Sequence, residues 1–362
     1  MVSAIDWTGS VARTYEFYEV DPASWQDVRR LERVASATLT FDRSKDTFGN
    51  GTVEVRDDMG EAYVRAYVVA EQGGARERMP VGTFLAQPAS MTYNGKRTHL
   101  PMQAFTPLIE LAENMPPLGF HVPAGRDTLR AASDLLVQHG RAPVSAAVSG
   151  YSLTEAHSAM PEETWLDFLK ALVAKSGHYL AVDPLGRILM VPEREPGAMQ
   201  PVHVFSFRNS SVVPDVSDER GVYGKANTYE AVLTRETGGE TATFSAIVRN
   251  ENPASPTSIP SRGRVVYERN MSPEIPEGLS AAETQAQLER FARRELAKET
   301  SADHSVTFDH KWMPHVRVGS CVMLDFPEIG IVSRAVVEAQ TIKCATGGKV
   351  TGTFRYAEVS AL

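Results

Sequence analysis

The sequence predicts an α+β protein that is mainly β, on three observations. Short alternating segments fill the first hundred residues and return after residue 200, the apolar period lengthens to that of a helix between them, and glycine-rich turns punctuate both strand-rich regions. Ala37–Phe41 and Thr52–Arg56 alternate apolar and polar side chains, while Ala62–Ala70 is rich in aromatic and β-branched types. Gly49-Asn50-Gly51 and Gln72-Gly73-Gly74 are expected to turn the chain between these strands. Val81–Leu85 and Ser90–Tyr93 continue the pattern, and Asn94-Gly95 is the strongest hairpin signal of the chain. The residues alone make this region an antiparallel barrel or sandwich. Tyr15, Phe17 and Tyr18 precede it and suit either a partner-binding strip or a first strand packed on the same sheet.

At Thr106 the pattern becomes helical. Thr106 can cap, Pro107 suits the first helical position, and Pro116-Pro117 stops the helix. A second helix is expected from about Asp127 to His139, with Leu129, Ala132 and Leu136 on one face and Gly140 ending it in a left-handed conformation. The third is the clearest, because Trp165, Phe168, Leu169, Leu172 and Val173 form one apolar stripe and Gly177 ends it. Tyr179–Val182 and Arg187–Val191 then flank Asp183-Pro184-Leu185-Gly186, whose proline and glycine suit a reverse turn. A helix stripe followed by a hairpin makes a small α+β unit.

Strands resume at Val204–Phe207, Thr228–Leu233 and Thr241–Val248. Asn252–Gly263 reads as a long loop, either exposed or packed on a neighbour. Ser280 and Glu283 form a capping box opening a helix to about Glu299, with Leu288, Phe291, Ala292 and Leu296 inward. Ser305–Phe308, Cys321–Leu324, Ile331–Ala339 and Val350–Tyr356 close the chain as strands. Four segments follow: an N-terminal arm over 1–30, a strand-rich region over 31–105, an α+β insert over 106–200, and a second strand-rich region over 201–362 with its helix at 280–299.

Composition bounds what such a chain does. Its 362 residues are 42% hydrophobic and 23% charged, enough for a sizeable core in two to four domains of roughly 150 residues, which excludes a disordered chain. Apolar runs such as Ala171–Ala174 and Leu189–Val191 fall far short of the roughly 20 residues that cross a bilayer. Met1–Trp7 has neither the basic start nor the apolar middle of a secretory signal, so the chain is expected to be made and folded in the cytoplasm. Cys321 and Cys344 are too few for a disulfide scaffold or a tetrahedral zinc site and are expected in the core. With 45 acidic and 37 basic residues the net charge is -8, which argues against a surface that grips nucleic acid but allows one that lets it slide past.

The residues carry no strong catalytic motif. His-Glu-x-x-His, Gly-x-Ser-x-Gly and the phosphate-binding loop are absent, and Gly119 and Gly125, though six residues apart, are followed by Arg126 and Asp127. Asp303, His304, Asp309, His310 and His315 are the densest set of metal-ligand types. Strand alternation, however, puts His304 and His310 on one face but far apart along it, so they read as a polar strand face. Asp57-Asp58 and Glu162-Glu163 read as turn and helix-start residues rather than as a glycan-cleaving carboxylate pair. Ser210, Ser211 and Ser255 lie in loops without a recognisable base. No catalytic residue, cofactor site or metal site is assigned.

The order of the pieces resembles the tail-hub proteins of tailed bacteriophages, the family of baseplate hubs and tail-tip hubs. Leu31–Asp42 and Gly51–Asp57 look like the opening strands of such hubs, and Trp165–Leu172 with Gly177–Asp183 and Gly186–Pro192 resembles the helix and hairpin of the hub insert. Gly221–Asn227, Asn252–Pro256, the helix after Ser280 and Pro314–Val322 are similar to the second half. The resemblance runs from about Leu31 onward. It implies that the two strand-rich regions are tail-tube-like antiparallel β-barrels flanking the insert, with a further small α+β portion. It also implies a homotrimer whose six barrels match a six-fold tail ring to a three-fold tip. Implied partners are the distal tail protein ring, the tape-measure protein and receptor-binding proteins below, in the virion at the tail tip, with DNA passing through the lumen without specific binding. The chain stops at Leu362, short of the appended peptidase, glycan hydrolase or fibre of larger members, so wall digestion is expected of partners. The alternative is a tail-associated peptidoglycan hydrolase with an unrecognised site. A third reading is a subunit of an injection apparatus related to phage tails.

Overall fold

The first eight strands are β1 (Ala12–Val20), β2 (Asp27–Arg30), β3 (Val34–Asp42), β4 (Gly49–Val55), β5 (Ala62–Gln72), β6 (Ala75–Pro88), β7 (Thr92–Tyr93) and β8 (Thr98–Phe105). They belong to a computed structural model that describes residues 4–358, apart from 57–58, 94, 96–97, 146–149, 195, 210, 222–223, 238–239, 254, 272, 274–279 and 301. Strand order is β3-β4-β8-β6-β5-β1-β2, and every one of these pairs is antiparallel. β1 is the strand that sequence left open. Its Phe17 is buried, and its whole length pairs with β5. Gly73 and Gly74 both adopt positive φ, as the tight β5–β6 hairpin requires. Gly49 and Gly51 do not make the expected turn. They lie inside β4, where a Cβ would come within 2.4 Å of the Thr40 carbonyl and 2.5 Å of the Thr38 carbonyl, so these glycines serve close approach of β4 to β3. The hairpin signal at Asn94-Gly95 falls between β7 and β8, whose last pair is Tyr93 with Thr98; Asn94 lies outside the described residues.

The insert supplies α1 (Ile109–Ala112), β9 (His121–Val122), α2 (Thr128–His139), β10 (His157–Ser158), α3 (Trp165–Ala174), β11 (His178–Val182) and β12 (Ile188–Pro192). The first helix is shorter than its pattern suggests. Thr106 does not cap it with its side chain, because the hydroxyl donates to the Thr47 carbonyl instead. α2 begins at Asp127, whose carboxylate accepts the Arg130 N–H, and ends at Gly140 in an extended rather than left-handed conformation, the Gly140 N–H still donating to the Leu136 carbonyl. α3 is capped by Thr164, and Trp165, Phe168, Leu169, Leu172 and Val173 are all buried as the stripe predicts. The insert core is continuous with the first sheet through Trp25, Phe48, Tyr63 and Leu85. The turn at 183–186 is latched to that sheet. Trp25 Nε1 donates to the Leu185 carbonyl at 2.7 Å, and buried Arg65 donates to the same carbonyl, to Thr83 Oγ1 and to Asp27. Gly186 allows this approach, since a Cβ there would stand 2.8 Å from Thr83.

The remaining strands are β13 (Val204–Ser206), β14 (Val212–Gly221), β15 (Thr228–Thr237), β16 (Glu240–Arg249), β17 (Tyr267–Asn270), β18 (Ala302–His310), β19 (Cys321–Phe326), β20 (Ile331–Lys343) and β21 (Val350–Glu358), with helices α4 (Ile259–Arg262) and α5 (Ala281–Thr300). The main sheet continues in the order β14-β18-β21-β20-β3, so Ala339–Lys343 of β20 pair antiparallel with Thr38–Asp42 and join the two strand-rich regions. β13 pairs with β19 in parallel. No hairpin connects them, so nothing local forces the antiparallel sense. The fold class is α+β and mainly β, as sequence predicts.

The chain divides into two compact units. One comprises Met1–Val216 with Thr307–Phe354, and the other Ser217–Val306 with Arg355–Leu362. In the second, β16-β15-β17 form a small sheet, and Leu288, Ala292 and Leu296 of α5 pack on Tyr229, Ala231 and Ala246. The predicted capping box is present: Glu283 accepts from the Ser280 N–H and hydroxyl, and Ser280 Oγ accepts the Glu283 N–H. The stretch read as a long loop folds back on its own unit. Buried Asn250 donates to Ser255 Oγ at 2.9 Å, Ser255 and Thr257 share a hydrogen bond at 3.1 Å, and Ser258 caps α4.

Candidate assembly surface

The residue types sought for chemistry do not converge. His304 and His310 are both buried on the same face of β18, as periodicity predicts, but each bonds within its own surroundings and not to a shared site. His304 Nδ1 bonds Asp218 at 3.0 Å and its ring stacks on Tyr356. His310 Nδ1 donates to the Lys311 carbonyl at 2.7 Å, and its ring lies among Phe205, Phe308 and Phe354. Burial lowers the His310 pKa to about 4, so the ring is neutral at pH 7. His203 is lowered to about 4 by burial and by His315, whose ring is 5.5 Å away. Asp309 accepts from Thr351 Oγ1 at 2.7 Å, and the Asp303 side chain lies outside the described residues. Among the described residues, no group of three or more His, Cys, Asp or Glu is placed to hold a metal ion.

The other candidates are equally local. Glu163 accepts the Met160 N–H at 2.8 Å, and Glu162 has a left-handed backbone just before the α3 cap. Asp57, Asp58 and Ser210 lie outside the described residues. Ser211 contacts Asn209 and, at 3.4 Å, His203 Nε2. Ser255 belongs to the Asn250 network. Cys321 and Cys344 are buried and free, and burial pushes the Cys344 thiol up to about 12, which keeps it protonated and unreactive at neutral pH.

A built feature of a different kind lies on the outer face of β13, β19 and β20. The inner face of these strands carries Phe205, Leu324 and Phe326, all fully buried. Alternation therefore turns Val204, Met323 and Val332 outward, and Val204 pairs directly with Met323. Val202, Val204, Ile329 and Val332 are each about half exposed. Part of the same outer face is already covered, since Arg334 Nη1 donates to the Gly197 carbonyl at 2.7 Å and Cys321 is buried beneath Pro196. What remains is an apolar patch beside β13, a three-residue strand that pairs, among the described residues, with β19 alone. The insert exposes apolar side chains too: Leu118 at 91%, Met160 at 69% and Val137 at 65%. Sequence marks these residues as apolar, but it takes the pairing of β13 with β19 to show which way they point.

No family model matches the chain, and no curated protein matches it in sequence. Solved structures do match its fold. A tail protein from Neisseria meningitidis MC58 superposes with a TM-score of 0.63 at 13% identity, over 95% of this chain and 97% of that one. The 43 kDa tail protein of prophage MuSo2 from Shewanella oneidensis gives 0.59 at 10% identity over 96% and 98%. A chain of the Francisella PdpA–VgrG complex gives 0.56 at 7% identity, over 98% of this chain and 59% of that one. The fold is thus that of phage tail proteins, as the resemblance in sequence implied.

Proposed function

We propose that this protein is a structural, non-enzymatic tail hub: a homotrimer at the tail tip or baseplate that adapts a six-fold tail ring to a three-fold tip and lines the conduit for DNA. The observation that carries this reading is the end-to-end likeness to the Neisseria meningitidis tail protein, which leaves almost no part of either chain unmatched. In this reading the two strand-rich regions, which β3 and β20 join, correspond to the two tube-like barrels of each subunit. Three copies would then present six. The net charge of -8 suits a lumen that passes DNA without holding it, since phosphate-binding basic groups would retain the strand. The distal tail ring, the tape-measure protein and the receptor-binding proteins are the proposed partners, and the virion tail is the proposed location.

Negative-stain imaging of the purified full-length protein tests this. Three-fold rings with a central opening are expected, and incubation with peptidoglycan should release no soluble fragments. Reproducible release that is lost on replacing a single carboxylate would instead establish the wall hydrolase, and a strongly basic lumen would contradict the conduit.

A further inference from the structure

One partly open cavity lies in the first unit. It is a cavity of about 290 Å³ walled by Phe41 of β3, Val81 of β6, Ala181 and Leu189 of the β11–β12 hairpin, and Trp312 and Val316 of the segment before β19. An apolar cavity of about 150 Å³ already accommodates benzene. This one is large enough for an apolar body of about eight carbons.

The polar side chains of Tyr179, Asp183, Arg317, Ser320 and Gln340 also line it. Asp183 is engaged: it accepts from Arg187 N at 2.9 Å and from Arg187 Nε at 2.6 Å. Arg317 uses only Nε, which donates to the Pro314 carbonyl at 2.6 Å, and its two terminal nitrogens have no acceptor among the described residues. Burial pulls this guanidinium below the ordinary arginine range, with Asp183 opposing. Gln340 is 6% exposed as a residue, and its amide is not among the sealed, unpartnered polar atoms of the described residues, so it keeps access to water in the cavity. The Arg317 fork and the Gln340 amide therefore stay open to solvent in the cavity, where a bound anion can complete them.

We propose that this cavity binds a small amphiphilic carboxylate, its anionic head on Arg317 and Gln340 and its apolar body of about eight carbons against Phe41, Val81 and Val316. The guanidinium fork matches a carboxylate in charge and shape, and the glutamine amide adds a neutral donor. An ammonium head would meet Arg317 as a like charge, while an alcohol would leave it unpaired. Asp183 also acts on Arg317, but its two carboxylate oxygens accept from Arg187, which leaves the terminal donors of the Arg317 fork for the ligand. The proposal is independent of the tail-hub reading.

Calorimetric titration of the full-length protein with octanoate, octanol and octylammonium tests it. Octanoate should bind at one saturable site, octanol at least tenfold more weakly and octylammonium not measurably. Arg317→Met should weaken octanoate at least tenfold and leave octanol unchanged, Arg317→Lys should fall between, and Gln340→Leu should cost two- to fivefold. Circular dichroism of each variant checks that the fold is retained. Equal affinity for octanoate and octanol, unchanged octanoate binding by a folded Arg317→Met protein, or no saturable octanoate binding below micelle formation would each overturn the proposal.

Discussion

His310 shows how one side chain ties burial to acid sensitivity. Its Nδ1–H is fixed on the Lys311 carbonyl, which leaves Nε2 as an unprotonated nitrogen with no partner among the described residues. Gly352 makes room for it, because a Cβ there would sit 2.9 Å from that nitrogen. Protonation would place a cation among phenylalanine rings, so burial holds the folded pKa near 4 against 6.5 in the unfolded chain. A depressed histidine pKa means that the unfolded state takes up the proton first as pH falls. The stability His310 contributes is therefore complete above pH 6.5 and is lost as pH drops through 6.5 toward 4, by on the order of 3 kcal/mol. His203 adds the same sign over the same window. Urea melts of wild type and His310→Phe at pH 7.5 and pH 4.5 should show a smaller acid loss in the variant; equal losses would mean that His310 is solvated in the folded protein. Arg65 illustrates the opposite solution, a buried guanidinium paired with Asp27 and donating to the carbonyls of Trp25 and of Leu185 in the hairpin it anchors.

At the scale of elements, what local pattern fixes was legible and what tertiary contact fixes was not. The α3 stripe and the Ser280–Glu283 box are short-range signals, and both helices formed as those signals predict. Gly49 and Gly51 misled because glycine serves two purposes, and only the separation of β3 from β4 shows that close approach is the one used here. β14 was missed because Val212–Gly221 mixes proline with charged residues; its pairing with β18 is what makes it a strand. The hydroxyl network around Asn250 was invisible for a related reason, since serine, threonine and asparagine are loop residues by composition and become a polar core only when folded together. The capping box yields a graded prediction. Ser280→Ala should cost about 1 kcal/mol and Leu288→Ala about 2–5 kcal/mol, read as faster amide exchange of β15 and β16. Unchanged exchange in Leu288→Ala would show that α5 does not hold the second sheet.

For the whole molecule, the apolar patch on β13, β19 and β20 is a consequence of the sheet rather than of any motif. Inward phenylalanines force the valines outward, and the strand at the margin leaves them uncovered. If trimerisation buries this patch in an obligate interface of a few thousand Å², Val204→Glu combined with Val332→Glu should yield monomers whose α3 helix, followed through Trp165 fluorescence, remains folded. Intact trimers from that variant would move the interface elsewhere. The trimer itself is the central claim, and the native mass of the purified protein across a dilution series tests it most directly. The account predicts a species of three times the 39.6 kDa chain that persists on dilution; a chain that stays monomeric at every concentration would contradict it.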